Sequence, residues 1–277
     1  MRCDLHLHSR VSDGALSPTD VVKETRNGAI DVISLTDHDS MGGVPEALAE
    51  CRRVTGGPRL IWGVEVSTSI QGREVHVLAY FPARPGASMD RFLELAREQR
   101  RDRILQGLTR LRRAADLALS DEEVLDEVSG EVVSRMHIAR AMVRRGIVRD
   151  LRGAFRTHLA TEHGHFSATT VTPAQAISAI HADSGLAIWA HPETPCFEET
   201  LSHLVAAGLD GLEIMSRSSG IDERSRQRAA DLGLLTSGGS DWHGRGRPPS
   251  HGRWHVPAEI TRDLLIALGH EPRSRLA

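Results

Sequence analysis

Cys3-Asp4-Leu5-His6-Leu7-His8 opens the chain, and Asp31-Val32-Ile33-Ser34-Leu35-Thr36-Asp37-His38-Asp39 repeats its pattern. Each is a short apolar run that ends in titratable groups. Residues 3–7 and 31–35 read as buried strands. A well-signalled helix lies between them. Ser17 is its N-cap, Pro18 takes the first helical position, and Asp20 completes a capping box. The helix should end near Gly28. Strand, helix and strand in this order predict a parallel sheet or barrel with helical crossovers.

The rhythm continues outward. Residues 60–66 and 75–80 read as further strands. A helix is expected over 44–53, before the turn Gly56-Gly57-Pro58. From about Ser88 the pattern turns helical and highly charged. Phe92, Ala96, Ile104, Leu108, Leu111 and Ala115 follow helical spacing. Ser120 with Glu123 marks a capped short helix, and residues 135–145 carry another helical pattern. The alternation resumes at Val171, with Thr172, Pro173 and Gln175 as the next helix start. Strands at 186–190, 211–215 and 234–238 then alternate with helices at 198–207 and 221–232, and a final helix is expected over 261–268. The expected organisation is a discontinuous α/β unit, residues 1–87 and 171–277, interrupted by a helical subdomain over 88–170.

Composition excludes several classes. The chain has 277 residues, 40% of them hydrophobic and 26% charged, with a formal net charge of −3. That balance excludes a polybasic coat for nucleic acid or membrane surfaces. No run reaches the roughly 18–20 apolar residues of a membrane span, and the N-terminal residues show no signal-peptide apolar region. Cys3, Cys51 and Cys196 are three, widely spaced, with no C-x-x-C pair. They suit a reducing compartment, and a cytoplasmic location is expected. Lys23 is the only lysine. The arginine excess fits either phosphate recognition or arginine-rich codon usage, and most arginines fall on solvated helix faces.

Fifteen histidines are the unusual feature. Several of them, with carboxylates, fall at strand ends, where α/β enzymes build their sites. His6 and His8 are two apart on one strand, so both side chains point the same way. Asp13 follows in the next loop. Asp37, His38 and Asp39 end the second strand, Glu65 the third, and His76 lies in the fourth. His191 ends the strand after the insertion, and Asp241 with His243 ends a later one. Singly each has a plain alternative: His76 a core histidine, Asp37 a helix cap, Asp241 a turn residue. Together they are costly to bury without a shared partner, and a metal cluster is the simplest one.

These residues resemble the PHP family, named for its occurrence in polymerases and histidinol phosphatases. The motifs are Asp4-x-His6-x-His8-Ser9 with Asp13-Gly14, Thr36-Asp37-His38-Asp39, Gly63-x-Glu65, His76, Ala190-His191-Pro192 and Ser240-Asp241-x-His243. Ser134-Arg135-x-His137 in the helical insertion, followed by Ala154-Phe155-Arg156, is similar to the 3′,5′-nucleotide bisphosphate phosphatase branch. Relatives of that branch trim RNA from the 5′ end.

The resemblance implies a distorted seven-stranded β/α barrel holding two or three divalent ions, with manganese expected first and iron or zinc also suited to the donor set. It implies that His6, His8, Glu65 and Asp241 bind one ion. Glu65, His76 and His137 bind a second, and Asp13, His38, His191 and His243 a third. The implied reaction is phosphate monoester hydrolysis by a metal-bridging hydroxide. Ser134 and Arg135 would grip the phosphate, with Arg135 supplying a fork of donors. Asp37 and His191 are the candidates for the acid that protonates the leaving group.

The expected substrate is a nucleoside 3′,5′-bisphosphate. The alternatives are another small phosphorylated metabolite or short RNA, and outside catalysis a metal-binding interaction module. Close relatives carry a lysine and a tyrosine where this chain has Glu162-His163-Gly164-His165-Phe166-Ser167, and a histidine near Ser219. His165 and Arg217 are the candidate substitutes. Phe166, Trp189 and Trp242 are the aromatics expected near the rim. No membrane and no obligate protein partner is expected.

Overall fold

The computed structural model describes residues 1–53, 55–192, 196–216, 220–245 and 255–270. Strand β1 (Arg2–Leu7) leads through helix α1 (Pro18–Asn27) to β2 (Val32–Leu35). The two strands pair in parallel, Cys3 opposite Val32. Ser17 caps α1 by accepting the Asp20 amide, and Pro18 occupies the first turn, as the local signals predict. Helix α2 (Val44–Arg53) carries the chain to β3 (Arg59–Ile70), again parallel to β2.

Here the predicted alternation fails. β3 runs to Ile70 and folds straight back into β4 (Arg73–Phe81), its antiparallel partner over the whole ladder from Trp62–Phe81 to Ile70–Arg73. The turn is Gln71-Gly72, both at positive φ (51° and 80°). Two left-handed residues match the twist of a two-residue hairpin. Gln71 lacks the Asn or Asp that usually signals this turn, so the hairpin is faint in sequence.

Helix α3 (Ala87–Ala115) opens the insertion. The short α4 (Asp121–Leu125), α5 (Arg135–Arg144) and α6 (Leu151–Ala154) follow, the last running into a π-helical turn at Phe155–Leu159. The predicted capping boxes form at Ser120/Glu123 and at Thr172/Gln175. The second starts α7 (Pro173–Ala182), which leads to β5 (Leu186–Trp189), antiparallel to β4. Then come α8 (Phe197–Ala206), β6 (Gly211–Ser216), the two-residue β7 (Gly220–Ile221), α9 (Glu223–Leu232), β8 (Leu235–Gly239), β9 (Val256–Pro257) and α10 (Ala258–Ala267). β6 is parallel to both β5 and β8.

The sheet is therefore mixed rather than all parallel, and it curls. β8 returns beside β1: Leu7 bridges Trp242, and the His8 amide donates to the Trp242 carbonyl at 3.0 Å. A side chain on Gly239 would overlap the His6 backbone, so glycine lets the two strands approach. β1, β2, β3, β4, β5, β6 and β8 form a distorted seven-stranded β/α barrel.

Two hydrophobic cores result. One fills the barrel, and the second lies within the insertion around Leu108, Ile138 and Met142. α3 joins them, giving Met89 and Leu93 to the first and Ile104, Leu108 and Leu111 to the second. Fully buried Tyr80 ties the barrel across its interior by donating to the Leu5 carbonyl at 2.8 Å. Tyr80→Phe is expected to lower stability by about 1–2 kcal/mol. A shifted urea midpoint at unchanged slope would show this, and an unmoved midpoint would deny the bond any net value.

Candidate metal centre

Alternation along β1 aims His6 and His8 into the barrel mouth. His38 follows β2, and its bridge to Glu65 brings the second and third strands together there. Glu65 sits mid-strand on β3, not at its end, because β3 continues into the hairpin. The hairpin register puts Ser67 opposite His76, which brings His76 close to Glu65. His191 follows β5, and Asp241 and His243 follow β8.

Glu65 is the junction. Its Oε2 lies 3.3 Å from His6 Nε2, 3.1 Å from His8 Nε2 and 3.2 Å from His38 Nδ1. Its Oε1 lies 2.8 Å from His76 Nδ1 and 3.0 Å from His191 Nε2. Asp241 Oδ1 lies 3.4 Å from His6 Nε2 and 3.2 Å from His8 Nε2. His243 Nε2 lies 3.4 Å from Asp13 Oδ1.

Among the described residues, three sets of donor atoms gather tightly enough to share a cation: His6, His8, Glu65 and Asp241; His8, Asp13, His38 and His243; and His38, Glu65 and His76. The first matches the predicted set. In the others the structure rearranges the grouping, because His191 lies against Glu65 and His76 rather than with Asp13 and His243.

The residues fit a metal. His6 Nε2, both His8 ring nitrogens, His38 Nδ1 and Glu65 Oε2 are buried without an aligned hydrogen bond. Two donors each about 2.1 Å from one ion, at near-tetrahedral to right angles, stand about 3.0–3.4 Å apart, matching the spacing seen. Buried donors that face one another without bonding need a cation between them.

Electrostatics agree. Burial pulls the His8 imidazole down, but Asp241 and Glu65 outweigh it and raise it to about 10. Burial likewise opposes, and Glu65 overcomes, the rise of His191 to about 9. Burial would raise Asp13 and Glu65, yet surrounding imidazoles hold both well below the carboxylate range. A divalent cation answers the same excess of negative charge.

His137 enters none of the three sets. It is the third residue of α5, and its Nδ1 accepts the Ser134 amide at 3.0 Å in a capping box. Burial first, then Arg140, lowers it to about 4, so the ring is neutral and carries its proton on Nε2. A protonated nitrogen donates and does not ligate. Ser134 is committed to that cap, its Oγ accepting the Met136 amide.

Arg135 donates to Thr161 Oγ1 at 3.0 Å and reaches toward Glu74 at 3.5 Å. It borders a small cleft shared with Asp13, His38 and His76. A larger cleft, about 480 Å³, adjoins His76 and His191. His165 lines neither cleft; it faces His163, and its carbonyl accepts from Arg110. Arg217 lies outside the described residues.

Asp37 lines neither of these two clefts. It is buried, and its oxygens accept from the Ser9 amide and hydroxyl and from the Ser12 hydroxyl, at 2.6–2.8 Å. It anchors the loop that carries Asp13, which leaves it no path to a leaving group. Of the expected rim aromatics, Phe166 and Trp242 are buried away from both clefts, whereas Trp189, although buried, lines the larger cleft beside His191. Half-buried Phe155 lines the smaller one.

Three buried supports escaped the sequence reading. Asp4 accepts the Ser240 amide at 2.8 Å and so fixes the turn before Asp241. Arg100 joins Asp39 and Ser67 beside His38, where it also lines the smaller cleft. Glu213 lies behind His6. A lone carboxylate in the apolar run 211–215 was the available signal for Glu213. Arg100 had none, being one basic residue in a highly charged helix.

Among known proteins, the PHP domain model matches residues 4–165. A 3′,5′-nucleoside bisphosphate phosphatase of Chromobacterium violaceum is 35% identical over 88% of this chain and 87% of its own length. A 5′-3′ exoribonuclease of Haemophilus influenzae is 32% identical over 87% of this chain and 89% of its own. Among solved structures, an amidohydrolase from Chromobacterium violaceum, with bound sulfate and no metal, superposes with a TM-score of 0.83 at 31% identity, covering 96% of this chain and 97% of that one.

Proposed function

Since the chain belongs to the PHP-domain family, we propose that this metal-dependent phosphoesterase removes the 3′-phosphate of a nucleoside 3′,5′-bisphosphate. The observation that carries the reading is Glu65, set between five imidazoles beside two clefts. Bound divalent ions, manganese being the one the family resemblance implies first, would lower the pKa of water and neutralise phosphoryl oxygens.

The chain's residues divide the remaining work. His6, His8, Asp13, His38, Glu65, His76, His191, Asp241 and His243 hold the ions. Arg135, from the insertion, offers its guanidinium to the phosphate in the smaller cleft. His137, neutral with its proton on Nε2, is a second donor from the same helix. His191 also lines the larger cleft. The insertion over residues 88–170 covers the substrate and limits water.

The sulfate in the Chromobacterium structure supports an anion site, because sulfate resembles phosphate in shape and charge. The test is a panel assayed with manganese: nucleoside 3′,5′-bisphosphates, sugar phosphates and short 5′-phosphorylated RNA. The expected result is the highest kcat/KM on bisphosphates, with a 5′-mononucleotide left. Higher kcat/KM on sugar phosphates, or stepwise release of nucleotides from RNA, would overturn the substrate assignment.

A further inference from the structure

Glu213 is 2% exposed on β6, in a strand otherwise built of glycine and apolar residues up to Ser216. A carboxyl group is buried in such a place only when its oxygens are hydrogen-bonded. Both are. Oε1 and Oε2 lie 3.1 and 3.3 Å from His6 Nδ1, and Oε2 accepts the His191 backbone amide at 2.7 Å.

The first contact decides a tautomer. With its Nδ1 proton given to Glu213, His6 presents a bare Nε2 toward Glu65 and Asp241. That nitrogen is buried and has no hydrogen-bond partner. The second contact holds an unusual backbone. His191 has φ of 30°, in the left-handed region that favours glycine. The bond from its amide to Glu213 fixes that conformation, which turns the imidazole against Glu65 Oε1 at 3.0 Å. Glu213 lines neither cleft beside the site, so it acts through the two histidines and not on substrate.

We propose that Glu213 is a positioning residue that sets His6 and His191 together, linking the two sides of Glu65 into one metal-binding unit. The inference rests on the metal-centre reading given above, but not on the identity of the substrate.

The test uses chelator-treated wild type, Glu213→Gln and Glu213→Ala. Manganese affinity and stoichiometry are measured by calorimetry, and thermal unfolding is followed in the metal-free proteins. Glutamine keeps the shape but has one acceptor oxygen for two donors. It is expected to weaken manganese binding by about 10–100-fold, with metal-free unfolding close to wild type. Alanine is expected to weaken it further and to lower the stoichiometry.

Glutamine binding manganese like wild type would overturn the inference. So would affinity lost in both variants only in step with lost stability, since that marks a plain core residue. Wild type that takes up no manganese would overturn the inference and the metal reading together. Wild type that binds manganese but cleaves no phosphate ester, with the glutamine variant still weakened, would sink the phosphatase reading alone and support this one.

Discussion

Glu65→Ala is expected to cut phosphate release by three orders of magnitude or more and to lower bound metal to one ion or none. Glu65, like His8 and His38, belongs to two of the three sets, and its two oxygens touch five imidazoles. Without it, His6, His8 and His38 face His76 and His191 across a gap with no anion between them. A catalytic ion contributes several kcal/mol of transition-state stabilisation, and about 1.4 kcal/mol is tenfold in rate. Elemental analysis and phosphate release, measured on the same preparation, check the prediction. Circular dichroism must show the fold intact. Activity within about tenfold of wild type, with full metal content, would remove Glu65 from the centre of the account.

Arg100→Ala is expected to be the most destabilising single change beside the site. Arg100 donates to Asp39 Oδ2 at 2.7 Å and to the Ser67 hydroxyl. Both Arg100 and Asp39 are buried. Asp39 also accepts the Ser67 amide at 2.8 Å, so the triad pins the residue after His38 to the strand that carries Glu65. Removing the cation leaves a buried carboxylate without its charge partner, which costs about 3–5 kcal/mol. For a chain of this size that is a fall in Tm of roughly 10 °C. Adding Asp39→Asn to Arg100→Ala should restore part of the loss, because the stranded charge is then gone. An unchanged Tm in the single variant would mean that solvent reaches Asp39 freely.

Arg100 also has a place in the architecture. It lies on α3 between Leu93, in the barrel core, and Ile104, in the insertion core. The ion pair is therefore where the helical insertion is fastened to the metal-binding face.

The first strand–helix–strand unit was legible because its signals are local. Alternation on β1, the Ser17 cap and Pro18 each act within a few residues. The hairpin was not, since pairing of β3 with β4 depends on a Gln71-Gly72 turn that sequence patterns rank low, and on a strand that outruns its most apolar stretch. Most of the candidate donors that gather at the centre could be read because imidazoles and carboxylates at strand ends have few other uses. Their grouping could not. Whether His191 meets Asp13 or Glu65 is set by a backbone at φ 30° and by Glu213 behind it.

His137 illustrates the limit of resemblance. Its position in a family motif suggested a ligand, while the capping box at the start of α5 uses the nitrogen that fixes its tautomer. The same holds for Asp37, where proximity to His38 suggested proton transfer and three close hydrogen bonds to Ser9 and Ser12 give a loop anchor instead. Phe166 and Trp242, unlike Trp189, which lines the larger cleft, were misjudged for a simpler reason. Ring-bearing residues near strand ends pack inward when the barrel closes, as Trp242 does beside Leu7.

The central claim is that phosphate ester cleavage depends on divalent ions held around Glu65. It is tested most directly by phosphate release from a nucleoside 3′,5′-bisphosphate with chelator-treated protein, as manganese is added back in known equivalents. The account predicts no release at the start and a rise that saturates only after at least two ions are bound per chain. Release at the wild-type rate in the continued presence of chelator would contradict it.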